Sequence, residues 1–279
     1  MDNLTVKAPA KINLFLRIIK KREDGYHNIF TIFQKISLWD EITLAISKKE
    51  RGICLECSDD NLPGMEDNLA FKAAKAFLDY TGIDYGVYIK LKKQIPIGAG
   101  LGGGSSDAAA VLKGLNKLSG GLMNSDDLNG IGCRLGADVP FFMHDAASAI
   151  GTGVGNRLKA IKIPLFHYLL VWPGFSISTK WVYEHFELTT RPLDTIFDAE
   201  LALHVRRWTN DLEMAVTPIY PQIKAIKNRL MELGAETALM SGSGSTVFGV
   251  FSSAEKAKAA ASGLVVRDNQ RIYLTKALG

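Results

Sequence analysis

Five glycines in seven positions, Gly98 to Gly104, leave a stretch of backbone with no side chains to keep a ligand away. The run reads Pro96-Ile-Gly-Ala-Gly-Leu-Gly-Gly-Gly-Ser-Ser-Asp-Ala-Ala-Ala110. A glycine-rich turn that opens a helix presents unpaired N–H groups and a positive dipole end to an anion. Ser105 and Ser106 add hydroxyls that could reach phosphate oxygens or a metal-bound water. Ordering five glycines costs more entropy than a plain connection requires, so phosphate binding is favoured. No lysine follows the glycines, which excludes a Walker A loop. Gly98-x-Gly100-x-x-Gly103 fits the dinucleotide spacing, but Asp126 and Asp127 beyond it sit at a helix start, not at a second strand's end. Neither His-Arg-Asp nor Asp-Phe-Gly occurs, so the protein-kinase pattern is excluded too.

Four other places carry reactive groups. Asp138 lies in Gly136-Ala-Asp-Val-Pro-Phe-Phe142, where by itself it could simply cap a helix that Pro140 suits. Lys11 interrupts an apolar strand, and Asn13 shares its face by the two-residue period. Tyr26 and His27 follow the turn signal Asp24-Gly25. Ser241-Gly-Ser-Gly-Ser-Thr246 joins two expected strands and reads first as a hairpin turn. Cys54-x-x-Cys57 is set aside: on a strand, positions three apart face opposite ways, and no second ligand pair completes a zinc site.

The elements that must hold these residues follow from periodicity. Ile12 to Ile19, Ile36 to Ile46, Gly52 to Cys57 and Val87 to Leu91 read as strands. Asn68 to Tyr80 reads as a helix stopped near Gly82, Ser106 to Leu118 as another, and Asp126 to Leu135 as a short one ending at Gly136. After the loose stretch Gly151 to Gly155 come a strand at Tyr168 to Trp172, a helix starting near Thr179 and a helix over Ile196 to Trp208. Pro221 to Leu233 carries the stripe Ile223, Ile226, Leu230 and Leu233, and Thr246 to Phe251 and Arg271 to Thr275 read as strands. The expected fold is α/β or α+β in two lobes, residues 1–155 and 156–279.

Composition sets the outer bounds. The chain has 279 residues, 47% apolar and 22% charged, which excludes a disordered chain or a coiled coil. No apolar stretch reaches the about 18 residues of a membrane span. No secretory-leader layout is present, so the expected compartment is the cytoplasm. A net charge of +4 gives no field for nucleic acid, and three cysteines suit a reducing compartment.

The glycine loop with its Pro96-x-x-x-Gly-Leu-Gly-Gly-Gly-Ser-Ser-x-Ala-Ala109 pattern resembles the nucleotide loop of the GHMP kinases, which phosphorylate small-molecule alcohols. Ala8-Pro-Ala-Lys-Ile-Asn-Leu-Phe-Leu16 before it and Ser241-Gly-Ser-Gly-Ser-Thr-Val-Phe248 after it stand in the family's order. The Asp24-Gly-Tyr-His27 and Gly136-to-Phe142 blocks point to the branch whose substrate is a small molecule with a cytidine diphosphate moiety. The resemblance implies a two-lobed fold, an N-terminal ATP-binding lobe and a C-terminal ferredoxin-like lobe, with the active site in the cleft between them. It implies that Lys11 and Asp138 are catalytic, the aspartate as base. It places ATP on Pro96, Ile97, Gly98, Ala99, Gly100, Leu101, Gly102, Gly103, Gly104, Ser105 and Ser106, with Asn68 and Lys93 on the adenine side. Alone, those two would read as a helix cap and a surface charge. The substrate falls to Asn13, Tyr26, His27, Thr179 and Tyr183, with Trp181 competing as the second stacking aromatic. Mg²⁺ arrives with ATP, and the chain supplies no metal site of its own. A homoserine- or mevalonate-type kinase, or a nucleotide-binding sensor, is the alternative. The segment 143–156 departs from the family, with Met143-His-Asp-Ala-Ala147 where a Gly-Gly pair is usual.

Overall fold

The computed structural model describes residues 2–58, 65–188, 199–267 and 269–279. The chain forms two compact units that interleave along the sequence. The first comprises Met1–Ala10, Leu38–Ile97 and Gly102–Asp145; the second comprises Lys11–Ser37, Gly98–Leu101 and Ala146–Gly279. Two long strands, β1 (Asp2–Lys21) and β2 (His27–Ser47), contribute to both. Each extends well beyond the run that signalled it: β1 continues an alternation of exposed and half-buried residues at its start, and β2 begins with a run buried without a break from Ile29 to Ile36.

In the first unit, β3 (Ile53–Cys57) lies parallel to β4 (Gly86–Lys92), and β4 pairs antiparallel with β2 from Glu41↔Lys92 to Ser47↔Gly86. Cys54 is exposed and Cys57 half-buried on alternate faces of β3, and neither is in a disulfide. Helix α1 (Leu69–Thr81) buries Ala70, Ala73, Ala74 and Phe77. Asn68 Oδ1 caps it from Ala70 N at 2.8 Å, and Gly82 closes it in the left-handed conformation with its N–H on Leu78 O. Helix α2 (Gly103–Leu118) packs on α1, with α3 (Ser125–Leu135) and α4 (Val139–Met143) beside it.

In the second unit, β5 (Ser148–Thr152) pairs with β2 at Thr31↔Gly151 and with β6 (Arg157–Ala160). The remaining chain makes a four-stranded antiparallel sheet. Its members are β7 (His167–Trp172), β8 (Thr237–Met240), β9 (Val247–Phe251) and β10 (Arg271–Lys276), in the order β10-β7-β9-β8. Between β7 and β8 come α5 (Thr179–Glu184), α6 (Glu213–Val216) and α7 (Pro221–Glu232), and between β9 and β10 comes α8 (Ala254–Ser262). That is the strand-helix-strand-strand-helix-strand sequence of a ferredoxin-like layer. Its core joins Leu169, Val171, Val247 and Phe251 to Ile223, Leu230, Ala257 and Ala260. The expected α7 stripe is there: Ile223 and Leu230 are fully buried, Ile226 and Leu233 partly.

One expected element is corrected. Of the helix over Ile196 to Trp208, residues 196–198 lie outside the described residues. The rest is two short 3-10 turns, Ala199–Leu203 and Val205–Arg207. His204 breaks away at φ −106°, ψ 77°, and Trp208 folds back to donate Nε1–H to Leu201 O at 3.0 Å. Among the described residues, no helix is long and apolar enough to cross a membrane.

Candidate functional site

Lys11 is only 4% exposed, on a strand whose neighbours Ala10, Ile12 and Leu14 are fully buried. A buried ammonium needs partners. Nζ donates to Asn13 Oδ1 at 2.7 Å, Asn13 Nδ2 donates to Thr31 Oγ1 at 2.8 Å, and Thr31 donates on to Phe15 O at 2.7 Å. The face-sharing expected of Lys11 and Asn13 is thus a direct hydrogen bond.

The same unit brings the front of the glycine loop to this pair. Lys11 N donates to Leu101 O at 2.9 Å, and Thr246 N donates to Ala99 O at 3.2 Å. Ser241 donates its hydroxyl to Gly100 O at 2.9 Å. Gly100 has φ +75°, and a Cβ there would collide with the Ser241 carbonyl oxygen. Gly242, at φ +55°, would place a Cβ 3.2 Å from Asn13 Oδ1 and 3.3 Å from Lys11 Nζ. The turn from Ser241 to Thr246 therefore closes over the Lys11–Asn13 pair as well as joining β8 to β9.

His27 and Tyr183 also meet within this unit, with ring centroids 5.4 Å apart and planes inclined at 32°. His27 is buried, and its Nδ1 has no hydrogen-bond partner. Burial, and then the positive charge of Lys21, pull its pKa below the ordinary value, so the imidazole is neutral near pH 7. Such a ring offers one donor and one acceptor. Tyr26 stands out at 64% exposure on a turn held by Arg22, whose main-chain N–H meets Tyr26 O at 2.7 Å. Asp24 supports the same turn, accepting from Arg22 Nε at 3.0 Å and from Tyr26 N at 3.1 Å. Thr179 shares a 2.8 Å hydrogen bond with Ser243. Trp181 is occupied elsewhere: it stacks on His185 at 4.4 Å and packs against the core. Tyr183 is the aromatic that faces His27.

The first unit holds the back of the loop. Gly102 precedes α2 with no side chain capping the helix, so the first-turn N–H groups of α2 have no side-chain acceptor. Ser106 Oγ is buried and has no hydrogen-bond partner. Ser105 Oγ lies 3.8 Å from where a Cβ on Gly136 would stand, next to the turn that carries Asp138. Asp138 occupies the N-cap position of α4 without making a capping bond, so the bland role for it is not taken up. Behind it Val139, Pro140, Phe141 and Phe142 are all buried.

Two adenine-side expectations meet different surroundings. Asn68 is the cap of α1, as it reads alone. Lys93 is no surface charge: its side chain is 5% exposed and pairs with both Asp40 and Asp107, the latter at 2.8 Å. Asp40 Oδ1 also accepts from Gln94 N at 2.6 Å and Ile95 N at 2.9 Å. Burial pushes the Asp107 carboxyl up to about 7, because the one ammonium that opposes this is shared with Asp40. Burial pulls Lys93 down, but Asp107 and then Asp40 outweigh it and its pKa ends raised. Sequence reasoning missed Asp40, Asp107 and Thr31, since their partners come from other segments. The one available hint was an aspartate directly after the loop serines. Among the described residues, no three His, Cys, Asp or Glu side chains gather as a metal cage.

Comparison with known proteins adds a second line of support. Residues 68–146 match the family model described as GHMP kinases N terminal domain, and residues 193–266 match GHMP kinases C terminal. A 4-diphosphocytidyl-2-C-methyl-D-erythritol kinase of Desulfotalea psychrophila is 45% identical over 89% of this chain and 85% of that protein. The protein of that name from Geobacter metallireducens is 42% identical over all of both chains. A crystal structure of 4-(cytidine 5'-diphospho)-2C-methyl-D-erythritol kinase matches with TM-score 0.82 and 36% identity, covering 99% of this chain and 100% of that one. A homoserine kinase from Cytophaga hutchinsonii, at 19% identity and TM-score 0.74 over 100% of this chain and 98% of its own, shares the fold.

Proposed function

This chain belongs to the GHMP kinase family, and we propose that it moves the γ-phosphoryl group of ATP to the 2-hydroxyl of 4-diphosphocytidyl-2-C-methyl-D-erythritol. The products are the 2-phosphate and ADP, and the step belongs to non-mevalonate isoprenoid precursor synthesis in the cytoplasm. The observation that carries the choice of substrate is the His27–Tyr183 contact, with an unpartnered nitrogen on a neutral imidazole. A cytosine edge needs both a donor and an acceptor, which this ring supplies. Tyr26 and Tyr183 offer aromatic faces for stacking, and Thr179 a hydroxyl.

Phosphoryl transfer asks a protein mainly for positioning, charge neutralisation and a base. The loop that begins at Pro96 receives the nucleotide's phosphates on the main-chain N–H groups from Ile97 to Ser106 and on the Ser105 and Ser106 hydroxyls. Asp138 accepts the proton of the substrate's 2-hydroxyl, and Lys11, held by Asn13, steadies negative charge on the transferring group. Asn68 lies on the adenine side, and Lys93 acts there through its hold on the loop's flanks. Mg²⁺ comes with ATP and, when bound, neutralises charge on the β- and γ-phosphates. We place the boundary of the two family domains at residues 155 and 156, a reading supported by family matches that fall on either side of it.

Phosphorus NMR of the reaction mixture tests this reading. A new phosphomonoester signal beside an intact diphosphate is the expected result. Hydrolysed ATP with no monoester would contradict it.

A further inference from the structure

Asn210 has no part in the chemistry above, yet it is 5% exposed and every polar atom of its side chain is engaged. Nδ2 donates to Met240 O and to Gly242 O, both at 2.7 Å, and Oδ1 accepts from Leu212 N at 3.0 Å. An amide has two N–H donors, and here one goes to the last residue of β8 and the other to the turn that follows it. The main chain beside Asn210 runs along β1: Leu16 N donates to Thr209 O at 2.8 Å, and Asp211 N donates to Leu16 O at 2.9 Å. Asp211 Oδ2 accepts from Ile18 N at 3.0 Å. Glu213 accepts from Met240 N at 2.8 Å and pairs with Lys227. Residues 209–213 thus grip β1 with one set of groups and the turn after β8 with another.

What they span is the pair of surfaces that meet at Lys11. β1 carries Lys11 and Asn13, and the turn carries Gly242, where a Cβ would stand in tight contact with both, 3.2 Å from Asn13 Oδ1 and 3.3 Å from Lys11 Nζ. We infer that Asn210 is a positioning residue for the phosphoryl-transfer step: by fixing the Gly242 turn against β1, it sets where the Lys11–Asn13 pair stands. It touches no substrate and acts through Gly242. The inference rests on the kinase reading of the site. Without the amide, two buried carbonyls lose their donors and the turn relaxes away from Lys11, and a misplacement of about 1 Å can cost about a hundredfold in rate.

Steady-state kinetics and melting curves of Asn210→Ala and Asn210→Asp, beside the core truncation Leu230→Ala, test it. Leu230 is fully buried in the same unit and far in role from the chemistry. Both Asn210 variants are expected to lose about 10- to 100-fold in kcat, with the nucleotide KM changed by less than about threefold. Leu230→Ala is expected to melt earlier with kcat retained. Should Asn210→Ala fail to fold, Gly242→Ala probes the other end of the link and is expected to lose kcat in the same way. Asn210 variants that melt early but keep kcat, or that raise KM alone, would overturn the inference. Wild-type protein that phosphorylates no alcohol would instead remove the kinase reading beneath it.

Discussion

A lysine survives in the interior of a strand only where hydrogen-bond acceptors replace its water, and Lys11 has Asn13 Oδ1 at 2.7 Å to do so. The shared strand face was legible from a two-residue spacing, though not the direct bond; the onward bond to Thr31 was not legible either, because it requires β1 and β2 to meet. Asp138 illustrates the opposite case. Its place before an apolar, proline-containing segment suggests a helix cap, and the structure leaves that role unfilled. If it is the base, Asp138→Asn keeps the shape and removes the proton acceptor. kcat is then expected to fall by about 10²–10⁴, with the nucleotide KM nearly unchanged. A rate within about threefold of wild type in the same assay would take the base role away from it.

Among the elements, those with strong local signals stand where periodicity puts them: α1 with its asparagine cap and glycine stop, and α7 with its proline start. The run through Ile196 to Trp208 failed because its apolar residues also satisfy short 3-10 turns once Trp208 packs back on Leu201. The Asp40–Lys93–Asp107 cluster was invisible for a related reason. It joins β2, the exit of β4 and the first turns of α2, and no window along the chain contains all three. The cluster gives a pH prediction. Asp107 has its carboxyl raised by burial to about 7 in the folded chain, above the ordinary aspartate value of about 4. A raised acid is stabilising while protonated, so its contribution is full below about pH 4 and is lost as pH rises through about 7. Asp107→Asn removes that dependence. Denaturation midpoints measured from about pH 5 to about pH 8 should therefore decline more steeply in wild type than in the variant. Parallel curves would mean that the carboxyl is ionised throughout.

For the molecule as a whole, composition excluded classes without naming an activity: a net charge of +4 suits many small anionic ligands equally. The family followed from motif order along the chain; two family models match it, and relatives at 42% to 45% identity align over 89% or more of its length. The interleaving of the two units was not legible, because the strand run Ile12 to Ile19 stops short of the residues by which β1 enters the first unit, and nothing within Ile36 to Ile46 marks the change of unit in β2. Choice of substrate is the claim on which the rest depends. It is tested most directly by ADP release from MgATP with 4-diphosphocytidyl-2-C-methyl-D-erythritol, homoserine and mevalonate offered separately to the wild-type chain. Turnover is expected with the cytidylyl alcohol and none above background with the other two. Equal or greater turnover with homoserine or mevalonate would contradict it.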